Sequence, residues 1–84
     1  MTQRKHIVLF NDNKHDFNYV RACLVRYCNH TFEQAEQCVV IAHNVGKVSI
    51  KVSDDIVKLV NINNALEEKG LTTKLETYNA SRTV

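Results

Sequence analysis

The chain has 84 residues, 44% of them hydrophobic, with two glycines, three cysteines and no proline. That length holds one domain, its apolar share is too high for a disordered chain, and no apolar run approaches the ~20 residues of a spanning helix, so a soluble protein is expected. Eleven Lys/Arg against nine Asp/Glu give a net charge of +2, scattered along the sequence, which by itself points to neither nucleic acid nor an anionic membrane.

Taken in chain order, His6-Ile7-Val8-Leu9-Phe10 is a continuous apolar, β-branched run of strand length, closed by the polar Asn11-Asp12-Asn13. Such a run suits a strand packed against helices. From Asp16 the period changes. Phe17, Val20, Leu24, Tyr27 and Cys28 fall on one face of a helix, with Asn13 or Asp16 available to cap its start and Asn29 at its stop. Thr31-Phe32-Glu33-Gln34 reads as a capping box for a second helix. Its stripe is Phe32, Ala35, Cys38, Val39 and Ala42, widened by Val40 and Ile41, so a well-buried helix ending at Gly46 is expected.

Lys47 to Val52 alternates strictly, which predicts a half-buried strand with Val48, Ile50 and Val52 inward and Lys47, Ser49 and Lys51 outward. Ser53-Asp54-Asp55 opens a third helix, with a hydroxyl cap and two acids in the first turn, where the helix dipole favours negative charge. Ile56, Leu59, Val60, Asn63 and Leu66 form its stripe, and Gly70 follows it. Leu71 to Thr77 reads as a last strand, and Tyr78 to Val84 as a frayed tail. The order is β-α-α-β-α-β, and burying three helical stripes on one sheet gives an α+β fold, a two-layer α/β sandwich with the helices on one side.

Cys23, Cys28 and Cys38 are odd in number, with no Cys-x-x-Cys pair. Met1 to Lys5 are polar and lead directly into one short apolar run rather than a secretory leader. Reduced, packed thiols and a cytoplasmic location are expected. Cys23, Cys28 and His30 match no standard zinc spacing and a fourth ligand is not evident, so neither metal nor cofactor is expected. The sequence contains no nucleophile elbow, P-loop or dinucleotide fingerprint, and enzymatic activity is not expected.

A polar constellation remains. Asn11, Asp12 and Asn13 are accounted for by turn chemistry and capping. They also supply a carboxylate and amide oxygens, each able to accept one N–H of an ammonium group. His43, near the end of the second helix, is either a surface or capping histidine or a partner for a bound amine. Phe17, Val20, Val39 and Ala42 either pack in the core or line an apolar pocket beside these polar groups.

The stretches Ile7–Asn13, Phe17–Leu24, Thr31-Phe32-Glu33-Gln34-Ala35 and Ala42-His43-Asn44-Val45-Gly46-Lys47 resemble the Clp protease adaptor family ClpS, in order and at matching spacing, over roughly residues 6 to 76. The resemblance implies the fold of the C-terminal domain of ribosomal protein L7/L12. It implies a monomeric adaptor that recognises substrates whose first residue is large and hydrophobic, the N-degrons of the N-end rule, and hands them to an AAA+ Clp unfoldase of the ClpA or ClpC type. By position, Asn11, Asp12 and His43 would hold the α-amino group and first peptide unit. Phe17, Val20, Val39 and Ala42 would line the side-chain pocket, with Phe17 at its rim, and Lys58 would face the unfoldase.

Several positions depart from the family pattern. Asn13 stands where an acid is common, Phe17 is bulkier than the usual rim residue, and Val39 and Ala42 are smaller than the usual floor residues. The family's flexible leading extension has only Met1 to Lys5 as its counterpart. The expected organisation is a tail over 1–5, an adaptor domain over 6–77 and a tail over 78–84. The competing reading is a stalk-type protein–protein interaction module on the same fold, without N-degron binding; fold alone does not decide between them.

Overall fold

The apolar run that opens the chain becomes strand β1 (Lys5–Phe10), the centre of a three-stranded antiparallel sheet ordered β2-β1-β3. The computed structural model describes residues 4–12 and 14–78. After β1 come helices α1 (Phe17–Tyr27) and α2 (Phe32–Val45), strand β2 (Lys47–Ser53), helix α3 (Ile56–Glu68) and strand β3 (Thr73–Thr77), the expected order. The fold is α+β, with the helices packed on one face of the sheet.

Helices cover one face of β1 and the side chains of the two flanking strands shield the other, so both parities of the strand are apolar. Ile7 and Leu9 point into the helical layer and meet Leu24, Ala35, Leu59 and Leu66 there. Val8 turns to the other face and is still buried, between Ser49 and Lys74 of the flanking strands. Each fully buried side chain of this size contributes roughly 1.5–3 kcal/mol.

The helix ends follow local chemistry. The Thr31 hydroxyl accepts the Gln34 N–H at 3.1 Å, and the Gln34 side chain accepts the Thr31 N–H at 3.0 Å, a complete capping box. Asn29 takes a left-handed conformation (φ 57°) between α1 and α2, and Gly46 and Gly70 do so after α2 and α3 (φ 109° and 90°). Asp16 sits at the N-cap of α1, although its side chain makes no capping bond.

Strict alternation in β2 is broken. Ile7 pairs with Lys51 but Val8 pairs with Ser49, so Ile50 is an extra residue, a β-bulge. The bulge reverses the expected facing of the last residues. Lys51 pairs with inward Ile7, and its ammonium reaches the Cys28 carbonyl at 3.4 Å; Val52 pairs with outward His6. The carbonyl of Ile50 is taken by His30 Nε2 at 2.7 Å, which fixes that nitrogen as the protonated one.

Other expectations shift. The cap of α3 is Asp55, whose carboxylate accepts the Lys58 N–H at 3.1 Å, while Ser53 ends β2 and accepts the Asp55 N–H at 3.0 Å. No acid stands in the first turn, because both aspartates precede it. Ile62 packs on the core where Val60 was expected, and Val60 is exposed. Helix α2 is buried only through Ala35, Val39 and Ala42; Phe32, Val40 and Ile41 are exposed, because only one side of α2 meets the other elements. Leu71 is buried but precedes β3. Tyr78 is not frayed: its N–H donates to the Arg4 carbonyl at 3.0 Å and its ring meets His6 edge-on. The remaining tail residues, 1–3 and 79–84, and Asn13 lie outside the described residues.

Candidate functional site

The end of β1 is gripped from two sides. The Phe10 N–H donates to the Thr72 carbonyl and the Asn11 N–H to the Gly46 carbonyl, both at 2.9 Å. The second bond depends on α2 stopping at a left-handed glycine, a conformation that costs other residues free energy. It ties the β1–α1 turn to the C-terminal end of α2, and so sets Asn11 and Asp12 near His43.

Between these elements lies a cavity of about 380 Å³, within the range of small-ligand sites. Asn11 and Asp12 line it from the turn, Phe17 and Val20 from α1, and Val39, Ala42 and His43 from α2. All the residues expected at the amine and side-chain positions thus share one space. Lys58 lies elsewhere, exposed on α3, with no side-chain hydrogen bond or ion pair among the described residues.

The two kinds of lining differ in character. Val39 and Ala42 are buried and Val20 half-buried, whereas Phe17 is 37% exposed. The Arg21 guanidinium stands 5.6 Å from the Phe17 ring and 4.3 Å from the Phe32 ring, and is held by Glu36 at 3.2 Å and Asn18 at 2.7 Å. Asp12 is shaped by its own turn: Oδ1 accepts the Lys14 N–H at 3.0 Å and the His15 N–H at 3.2 Å. Oδ2 makes no hydrogen bond among the described residues. An apolar wall that strips water from a large side chain, beside a carboxylate with one oxygen unengaged among the described residues, suits a ligand carrying both a bulky apolar group and a cationic amine.

Four further residues line the cavity that were not expected there: Leu9, Phe10, His15 and Asp16. The strand residues arrive with the end of β1. Asp16 leaves its carboxylate unused as a cap. His15 Nδ1 stands 3.4 Å from Asp12 Oδ1, and its ring stacks on Tyr19 with centroids 5.1 Å apart. The Tyr19 hydroxyl donates to the Lys69 carbonyl at 2.7 Å, and a Cβ on Gly70 would come within 2.8 Å of the imidazole. The one sequence signal for His15 was its position three residues after Asp12 in a polar turn.

The cysteines stand apart from this site. Burial pushes the Cys28 thiol up to about 12 and raises those of Cys23 and Cys38. All three are free thiols. Among the described residues no group of three or more His, Cys, Asp or Glu is placed to hold a metal ion, and no helix is long and apolar enough to cross a membrane.

The sequence matches the family model for ATP-dependent Clp protease adaptor protein ClpS over residues 2–72. Among solved structures, the chain is similar to Agrobacterium tumefaciens ClpS2 bound to L-phenylalaninamide, with a TM-score of 0.78 and 17% identity over 93% of this chain and 100% of that one. At that identity the similarity speaks for the fold. No curated protein matches the chain. A family match over most of the sequence, on the fold that family adopts, places the chain: it belongs to the ClpS family of Clp protease adaptor proteins.

Proposed function

We propose that this protein is an N-end rule adaptor: it binds substrates that begin with a bulky hydrophobic residue and delivers them to a Clp AAA+ unfoldase. One observation carries the reading. A single cavity joins amine acceptors, Asn11, Asp12 and His43, to an apolar wall of Phe17, Val20, Val39 and Ala42. The ligand named for the similar ClpS2, L-phenylalaninamide, combines a free amine with an aromatic side chain, the chemistry this cavity suits.

The two halves divide the work. Burying a large apolar side chain contributes roughly 1.5–3 kcal/mol and tolerates variation in shape. The charged amine tests for a true N-terminus, because an internal peptide nitrogen offers no –NH₃⁺ to the Asp12 carboxylate. Delivery is the further half, with the adaptor domain over 6–77 acting as a cytoplasmic monomer and Lys58 as a docking contact. Its support is family membership and the exposure of Lys58 on a face of α3 away from the cavity.

A peptide beginning with Phe should bind in titration calorimetry, and the same peptide N-acetylated should not. Equal binding of the two overturns the reading.

A further inference from the structure

Of the two ring nitrogens of His15, Nδ1 is buried with no hydrogen-bond partner among the described residues. Buried polar atoms are nearly always paired, so an orphan calls for an explanation. Nδ1 faces Asp12 Oδ1 at 3.4 Å, slightly beyond hydrogen-bond length. A bare lone pair there would repel the carboxylate, whereas an N–H would be attracted to it. The ring has little freedom to turn away, being stacked on Tyr19 and set against Gly70.

The geometry points to His15 as a positioning residue for Asp12 and as a proton switch at the amine end of the cavity. This inference rests on the reading of that cavity as the amine site. Neutral His15, with its proton on Nδ1, holds Asp12 through Oδ1 together with the two backbone N–H groups already there, and leaves Oδ2 to the ligand. Protonated His15 forms an ion pair with the same carboxylate and competes with the substrate amine for its charge. Binding of a free N-terminus therefore weakens on acidification.

Other charged and titratable groups bear on this corner. Asp16 lies next to His15 in sequence and lines the same cavity, and Lys14 flanks it on the other side. Tyr19 stacks on the ring, and Lys69 of the α3 C-cap brings a positive charge toward Tyr19. His43 lines the cavity from α2 and is the second histidine there.

The test compares wild type with His15→Phe, which keeps a ring for Tyr19 and Gly70 but carries no proton, in binding a Phe-first peptide from about pH 7.5 to about 5.5. Wild type should lose about tenfold in affinity, and the variant's loss should be smaller by about threefold or more. Parallel loss in the two proteins overturns this inference and leaves the amine-site reading standing. No binding by wild type at any pH overturns both. Independently of the variant and of any ligand, nitrogen-15 NMR of the wild-type imidazole at about pH 7.5 should find neutral His15 protonated at Nδ1. Protonation at Nε2 overturns the inference.

Discussion

Asp12 is asked to do two things, and its two oxygens allow it. Oδ1 accepts the backbone N–H groups of Lys14 and His15 and so fixes the turn; Oδ2, unengaged among the described residues, is the atom the proposed function gives to a ligand. Two substitutions separate the roles. Asp12→Asn keeps an oxygen for the turn and removes the charge, whereas Asp12→Ala removes both. Asp12→Ala should cost about 2–5 kcal/mol in binding of a Phe-first peptide, as expected for loss of one partner of a desolvated charge pair. Asp12→Asn should lose more than about tenfold in affinity while staying within about 0.5 kcal/mol of wild-type stability. Calorimetry and thermal unfolding read the two quantities, and an asparagine variant that binds like wild type shows that charge is not what the site uses. At this scale, that Asn11, Asp12 and His43 share one cavity was legible through family resemblance, on motifs that stand at fixed spacing in the sequence. His15 was not. What gives it meaning is Tyr19 on α1 and Gly70 after α3, and no local pattern around residue 15 announces either contact.

Among the elements, α2 shows how helix ends divide stability from function. Its capping box and its left-handed glycine stand at opposite ends of a 14-residue helix, about 20 Å apart at 1.5 Å per residue. Thr31→Ala should cost about 1 kcal/mol of unfolding free energy and leave peptide affinity unchanged. Gly46→Ala meets no atom within 4 Å, so its cost is conformational alone, about 1–2 kcal/mol for a left-handed residue bearing a side chain. Its carbonyl holds the Asn11 N–H, so that variant should lose affinity as well as stability. Denaturant unfolding and peptide titration on both variants check the contrast; equal effects on binding would mean that Gly46 does not set the site. Both helix ends were readable, because capping is a matter of a few adjacent residues. The bulge in β2 was not, since Lys47 to Val52 alternates evenly. It is fixed from outside the strand: β1 sets the register, His30 takes the orphan carbonyl of Ile50, and the Cys28 carbonyl takes the ammonium of Lys51. Exposed Val40 and Ile41 show the same limit, because how many neighbours surround a helix is decided by the fold as a whole.

At the scale of the whole molecule, one core supports the site, and in a domain of this size a few kcal/mol is a large fraction of total stability. Cys28 lies in that core, 1% exposed, with its thiol pushed by burial from the ordinary 9.0 to about 12. The sign of the consequence is fixed by linkage. Below the ordinary thiol value both states hold the proton and stability is intact. Above it the unfolded chain ionises while the folded one does not, so stability falls as pH rises through the window from 9.0 toward about 12. Burial raises the thiols of Cys23 and Cys38 in the same direction. Each pH unit of that window is worth up to about 1.4 kcal/mol for one fully shifted group. Cys28→Ala isolates the effect, since every other ionisable group is common to both proteins. At about pH 8 the variant should be less stable by about 1 kcal/mol, from the small cavity it leaves. As pH rises toward about 10.5 that difference should shrink and then reverse, because only wild type has a thiol whose ionisation favours unfolding. Urea unfolding under reducing conditions at several pH values gives the difference directly. A gap that stays constant across the series would mean that the core does not hold Cys28 neutral.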